Sequence, residues 1–307
     1  MQTRDRVRTN KSPALHGVIP ALITPFDEKG KVDFDSLEKQ TSYLCSAGVH
    51  GFFVAGTTAE GAYLSTAEKR QVYKIVHACS GGRQVLCAAF LKPSTEMVIE
   101  EMRAFEDLEP DFVVAVAPYY MQAGQQDILA HYRRIAQHAS SPIVVYNIPT
   151  TTHNPISLET ILELSTVESI VGAKDSSGDF ASFCRGVLHS SKNPFAWIQG
   201  TDAMDGASLL LGCQGIVTGL GNVRIEPYVD LYTAAQSKDV AGVRDCQRRI
   251  NRLFEIIPCT GGRVIPAIKA GVALYGRSNR RMQSAYMTLS DEEAAKVERV
   301  LRESEEI

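Results

Sequence analysis

The sequence predicts an α/β fold, a (β/α)8 TIM barrel with a C-terminal helical extension. From His16 onward, short apolar runs alternate with amphipathic stretches at roughly the 30-residue spacing of βαβ units. Eight such units follow one another without a break in composition, which favours a closed parallel barrel over an open doubly wound sheet. No apolar run leads into G-x-G-x-x-G, and Gly219-Leu-Gly221 is only a fragment of that fingerprint.

The first run is Gly17-Val-Ile-Pro-Ala-Leu-Ile-Thr24, closed by Pro25. A helix is expected over Asp33 to Ala47, capped by Asp33 or Asp35 and ended by Gly48. Gly51-Phe-Phe-Val-Ala55 is the second strand and opens into Gly56-Thr57-Thr58-Ala59-Glu60-Gly61. Ser65-Thr-Ala-Glu68 has capping-box spacing and starts a helix that Gly81-Gly82 stops. Strands follow at Gln84 to Phe90, Phe112 to Ala117, Ile143 to Asn147, Ser169 to Lys174, Phe195 to Gln199 and Gly215 to Thr218. Helices fall between them at Ser94 to Glu106, Gln126 to His138, Leu158 to Ser165, from Asp179 or Ser182, and Asp202 to Leu211. Beyond Arg224 only helical periodicity remains, over Tyr228 to Ser237, Val240 to Ile257, Val264 to Tyr275 and Asp291 to Glu305. The chain thus divides into a flexible N-terminal arm (1–15), a barrel (16–223) and a C-terminal helical bundle (224–307) that packs on the barrel or on a neighbouring subunit.

Composition narrows the function classes. The 32 basic and 35 acidic residues give a net charge of −3, without the basic footprint of a nucleic-acid binder. No run reaches the roughly 18 apolar residues of a membrane span, and Met1 to Lys11 offers no apolar core for a signal peptide. Seven cysteines without a CxxC pair suit reduced thiols in a cytoplasmic protein. The seven histidines show no paired metal-ligand spacing, so no metal is expected.

In a barrel of this kind the active site lies at the C-terminal strand ends. Those ends carry Thr57, Thr58, Tyr120, Tyr146 and Lys174. Desolvation disfavours an ammonium, and a neutral amine attacks a carbonyl to form a Schiff base, which makes Lys174 the candidate nucleophile. At a strand end a lysine can equally snorkel into water or pair with Asp175. Tyr146 on the adjacent strand can shuttle protons if a neighbour such as Thr57 holds its hydroxyl, and the amides and hydroxyls of Gly56-Thr57-Thr58 can receive a carboxylate.

Five segments, Gly17-Val-Ile-Pro-Ala-Leu-Ile-Thr-Pro-Phe26, Gly56-Thr-Thr-Ala-Glu60, Pro118-Tyr-Tyr120, Tyr146-Asn-Ile-Pro149 and Gly172-Ala-Lys-Asp175, resemble the landmark motifs of the dihydrodipicolinate synthase and N-acetylneuraminate lyase family, in the family's order. The resemblance implies a homotetramer that forms Schiff bases with pyruvate or another 2-oxo acid without metal or organic cofactor. It implies Lys174 as the Schiff-base lysine, Tyr146 as acid and base, and Thr57 as the hydroxyl joining Tyr146 to Tyr120, which in many members crosses from a neighbouring subunit. Thr58 matches the carboxylate anchor, and Gly200 and Ile216 match backbone positions of the pocket.

Members that make dihydrodipicolinate carry an arginine where this chain has Thr151, and a threonine cannot replace a bidentate guanidinium. Sialic acid lyases tend to show Asp-Glu where this chain has Asp202-Ala203, and the motif's usual second glycine is Ala59. The remaining rim is rich in neutral hydroxyls: Thr150, Thr151, Thr152, Ser176, Ser177 and Thr201, with Asp202 and His153 nearby. The expectation is a class I aldolase that cleaves a 2-oxo-3-deoxy sugar acid, or a 4-hydroxy-2-oxo acid, to pyruvate and an aldehyde. The alternatives are a dehydratase of the same substrates, a dihydrodipicolinate synthase, which Thr151 disfavours, and a catalytically silent binding protein. Lys269, inside an apolar helix, is expected to snorkel.

Overall fold

A computed structural model describes residues 14–189 and 195–305. Most of the expected N-terminal arm lies outside the described residues. Its last position, Leu15, is buried against the barrel interior.

Eight parallel strands, β1 (Gly17–Pro20), β2 (Gly51–Val54), β3 (Val85–Phe90), β4 (Phe112–Val116), β5 (Ile143–Asn147), β6 (Ile170–Asp175), β7 (Ala196–Gln199) and β8 (Gly215–Thr218), run in ladder order β1-β8-β7-β6-β5-β4-β3-β2. The two ends of that order meet: the Ala21 and Phe53 backbones form a parallel bridge, and the His50 amide donates to the Val18 carbonyl at 2.9 Å. The result is a barrel, which leaves no unpaired sheet edge. Helices α1 (Phe34–Ser46), α2 (Thr66–Ser80), α3 (Thr95–Arg103), α4 (Gln125–Ala136), α5 (Pro149–Thr152), α6 (Leu158–Leu164), α7 (Phe180–His189) and α8 (Asp205–Leu211) connect the strands. Four more follow, α9 (Glu226–Gln236), α10 (Val240–Phe254), α11 (Val264–Leu274) and α12 (Asp291–Glu305). No described helix is long and apolar enough to cross a membrane.

Local signals act as expected. Asp33 caps α1 by accepting from the Ser36 amide, and Ser65 and Glu68 close a reciprocal capping box on α2, which ends at left-handed Gly81. The expected helix over Val240 to Ile257 stops at Phe254, and a turn leads from there into a short 3-10 segment that begins at Pro258. Helix α5 was not anticipated; Pro149 at its start supplies a preset φ for one turn.

Strand side chains alternate between two apolar layers. Val144, Tyr146, Ile198 and Val217 pack in the interior cluster, whereas Ile143, Val145, Trp197 and Ile216 pack against the helices. Strand β6 departs from simple alternation. Ile143 pairs with Ile170 but Val144 pairs with Gly172, so Val171 is a surplus residue. Such a slip moves every following side chain to the opposite face. It leaves Ala173 in the helix layer and turns Lys174 inward, level with Tyr146 on β5.

The helix layer carries its own buried polar joint. His131 of α4 is 3% exposed; its Nε2 donates to the Val116 carbonyl at 3.1 Å, leaving Nδ1 to accept from the Thr95 hydroxyl at 2.9 Å. Burial pushes its pKa down to about 4, against the pull of the Val116 carbonyl. The unfolded imidazole takes up a proton near 6.5, so the stabilisation is complete above that pH and is lost as pH falls through about 4. Urea unfolding at pH 7 and pH 4.5 is expected to show a contribution of about 3 kcal/mol disappearing. His131→Gln should be less stable at pH 7 and should lack that part of the pH slope.

Candidate active site

A cavity of about 570 Å³ opens at the C-terminal end of the barrel, lined on the strand side by Thr57, Thr58, Tyr146, Thr151, Lys174, Gly200, Asp202 and Val217. Lys174 is 5% exposed, with its nitrogen 4.0 Å from the Tyr146 ring centre and 4.4 Å from that of Phe53. The stem needs Gly200 beside it: a Cβ there would lie 2.9 Å from Lys174 Cε and closer still to Ser176 Oγ. Tyr146 is 2% exposed, and its hydroxyl lies 3.5 Å from Thr57 Oγ1. Lys174 neither snorkels nor pairs with Asp175. The Asp175 carboxylate belongs to the other face of the strand and accepts from the Ser177 amide at 2.6 Å and Asn147 Nδ2 at 3.5 Å. Burial raises its pKa, with the bonds from Ser177 and Asn147 opposing.

The turn carrying Thr57 and Thr58 is fixed by its own backbone, with the Gly61 amide donating to the Gly56 carbonyl and the Glu60 amide to the Thr57 carbonyl, both at 3.0 Å. Position 61 must be glycine, since a Cβ would meet the Ala55 carbonyl oxygen. Glu60 takes a left-handed φ of 55° and buries its carboxylate against Lys269 of α11. The second carboxylate oxygen accepts from the Gln283 amide at 2.9 Å, and Lys269 also donates to the Arg281 carbonyl at 2.9 Å. Lys269 is therefore fully buried rather than snorkelling: the apolar helix faces the barrel rim, and the ammonium finds its counter-charge there. Burial pushes it down to about 8 against the pull of Glu60.

The other expected site residues divide. Thr150 and Ser176 line the cavity with Thr151, and Thr152 lines an adjoining apolar pocket of about 190 Å³ that also reaches Thr57. Asp202 lines the cavity while its Oδ1 accepts from the Thr218 and Tyr228 hydroxyls, each at 2.6 Å; burial raises its pKa and those two bonds oppose. Ser177, Thr201, His153 and Gly56 stand off it. Ile216, expected to serve through its backbone, turns its side chain into the helix layer, and the next residue, Val217, faces the cavity, as strand alternation requires. Gly56 buttresses the turn against the Phe53 ring instead of lining the space. Tyr120 is also outside: it is 93% exposed at a left-handed φ of 74°, and among the described residues the Thr57 hydroxyl bonds to Tyr146 alone.

The sequence reading missed the opposite wall. Arg263, Ile265, Met282, Tyr286 and Met287 of the C-terminal segment line the same cavity. One signal was available. Arg263 precedes the first turn of an apolar helix, where the macrodipole disfavours a cation.

The chain is similar to known proteins over most of its length. The model of the dihydrodipicolinate synthetase family matches residues 14–304. A 4-hydroxy-tetrahydrodipicolinate synthase of Methanospirillum hungatei is 35% identical over 242 residues, 78% of this chain and 83% of that protein. An uncharacterized DapA-like lyase of Halobacterium salinarum is 30% identical over 284 residues, 92% of each chain. Among solved structures, a chloride-inhibited dihydrodipicolinate synthase of Acinetobacter baumannii complexed with pyruvate superposes with a TM-score of 0.89 at 26% identity, covering 95% of this chain and 99% of that one.

Removing one member of a buried ion pair strands the other. Lys269→Met is expected to cost about 3–5 kcal/mol in urea unfolding, and the double variant Glu60→Gln/Lys269→Met should recover most of it. Equal losses in single and double variants would mean that the pair does not hold this wall.

Proposed function

The chain belongs to the dihydrodipicolinate synthetase family, and on that premise we propose that it is a class I, pyruvate-dependent Schiff-base lyase that cleaves, or in reverse forms, a 2-oxo-3-deoxy sugar acid or a 4-hydroxy-2-oxo acid. The observation that carries this reading is the side-by-side placement of Lys174 and Tyr146 on the cavity floor, with the Thr57 hydroxyl behind the phenol.

The Lys174 amine attacks C2 of the 2-oxo acid, whose carboxylate rests on the Thr57-Thr58 turn. The carbinolamine hydroxyl takes the Tyr146 phenol proton and leaves as water, so an iminium remains beside the phenolate. The C3–C4 bond then breaks, its electron pair entering the iminium to give an enamine, while the C4 hydroxyl proton passes to the phenolate of Tyr146 and the aldehyde departs. Protonation at C3 and hydrolysis release pyruvate. Tyr146 suits the proton transfers because Thr57 lies within reach of its hydroxyl and burial excludes competing water.

A synthase reading is favoured by the relatives named 4-hydroxy-tetrahydrodipicolinate synthase. Thr151 does not set it aside, because Arg263 brings a guanidinium to the same cavity from another element. Both readings share the pyruvate Schiff base and differ in the carbonyl partner.

Borohydride added with pyruvate is expected to leave a reduced pyruvate-sized adduct on Lys174, located by peptide mass spectrometry. Lys174→Arg should give no adduct and no turnover while keeping the fold, because arginine stays protonated. Tyr146→Phe should lower kcat by about 10²–10⁴. An unmodified Lys174 in the parent chain would count for the silent binding protein. Turnover of aspartate semialdehyde with pyruvate would select the synthase.

A further inference from the structure

The wall that the C-terminal segment adds to the cavity differs in chemistry from the strand side. Thr57, Thr58, Thr150, Thr151 and Ser176 offer hydroxyls around Lys174, whereas Val264, Ile265, Met282, Tyr286 and Met287 offer apolar surface across from them. Arg263 is the charged side chain on that wall, and it is engaged: its Nε donates to the Thr260 carbonyl at 3.3 Å and its Nη2 pairs with Glu293. Tyr286 lines the cavity and is nevertheless 86% exposed. Among the described residues its ring meets no other aromatic ring and its hydroxyl makes no hydrogen bond. The turn that carries it is held on both sides. The Met287 amide donates to the Ser284 carbonyl at 2.9 Å, the Met282 amide to the Thr288 hydroxyl at 3.0 Å and the Gln283 amide to the buried Glu60 carboxylate at 2.9 Å. An uncovered ring on a braced turn at a cavity mouth leaves a face for a ligand to lie on.

We propose that Tyr286 selects the carbonyl partner by receiving an aryl group, so that the substrate is a 4-hydroxy-2-oxo acid with an aromatic ring on C4, cleaved to pyruvate and an aryl aldehyde. This deepens the Schiff-base reading and rests on it. The reacting atoms use the polar half of the site: the carboxylate rests on the Thr57-Thr58 turn, C2 bonds to Lys174 and the C4 hydroxyl gives its proton to Tyr146. The C4 substituent is then the part of the substrate that extends toward the C-terminal wall. A polyhydroxylated chain would surrender water there to methylene and thioether groups, with one guanidinium, already paired, to replace it, and a buried hydroxyl without a partner costs free energy. An aryl ring gives up no hydrogen bond. It gains the face of Tyr286 and the polarizable sulfurs of Met282 and Met287, which suit aromatic edges. Because the turn is held before anything binds, little ordering is left to oppose the contact. Ile265, Met282 and Met287 also line the adjoining pocket, so the apolar surface continues beyond the cavity.

The test captures Schiff bases with 2-oxo acids that lack a C4 hydroxyl and so cannot be cleaved, which lets the two readings fail separately. The full chain is titrated with pyruvate, 2-oxo-4-phenylbutanoate, 4-cyclohexyl-2-oxobutanoate and 5,6-dihydroxy-2-oxohexanoate. Each is trapped on Lys174 by borohydride and quantified by peptide mass spectrometry. Half-maximal trapping of the phenyl acid is expected at a concentration about tenfold below that of the dihydroxy acid and about two- to fivefold below that of the cyclohexyl acid. Tyr286→Ala should raise the concentration needed for the phenyl acid about three- to tenfold, Tyr286→Phe should leave it as it was, and neither should move pyruvate trapping. The ring is exposed, so removing it opens no hole in the core. Capture of the dihydroxy or the cyclohexyl acid as readily as the phenyl acid overturns the proposal. So does a Tyr286→Ala variant that captures the phenyl acid as well as the parent chain, or that weakens pyruvate and phenyl acid alike. Failure to trap pyruvate on the parent chain sinks the underlying Schiff-base reading.

Discussion

The placement of Lys174 beside Tyr146 is the constraint on which the rest of the site depends. Two adjacent strands must present amine and phenol at the same height and on the same face, and the pairing of Tyr146 with Lys174 meets that condition. Nearly every other local feature serves the same pair. Gly200 yields room for the lysine stem, Phe53 supplies a second aromatic wall, and Thr57 comes within reach of the phenol. An amine enclosed this way is shielded from water by ring faces, which attract positive charge through their quadrupoles without donating or accepting a proton.

The second organising contact joins the barrel to the helices that follow it. Glu60 and Lys269 are separated by more than two hundred residues and meet where neither touches solvent. A buried pair of this kind roughly breaks even against a well-packed apolar alternative, so its value lies in placement more than in stability. It binds the Thr57-Thr58 turn to the segment that holds Met282, and the two walls of the cavity become one piece. The helices after β8 are part of the site rather than an appendage.

Much of the strand side was legible because barrels obey period two along strands and keep chemistry at one end of them. The alternation of apolar runs and capping signals gave eight strands and their order of appearance, and the strand ends gave Lys174, Tyr146, Thr57 and Thr58. Three things were hidden. That Val217 adds a side chain to the cavity depends on the parity of β8, which so short a run as Gly215 to Thr218 does not reveal. Lys269 read as a snorkelling residue because its partner lies far away in sequence. Arg263, the missing wall, is brought to the rim by the packing of α11 and by a glycine turn, neither of which leaves a periodic trace. Tyr120 was read as a residue that in many members reaches the site from a neighbouring subunit, and in this chain it is exposed and outside the cavity lining.

The surplus residue at Val171 makes the catalytic floor a matter of counting. Every other feature of the site depends on what a residue is; this one depends on how many residues precede it in the strand. Dropping one position between Ile170 and Ala173 would keep Lys174 in the chain yet rotate it among the helices and bring an acidic or small side chain into its place. The constraint on this stretch of β6 is therefore one of length as well as of identity: a strand one residue shorter or longer would aim the same lysine at the wrong layer.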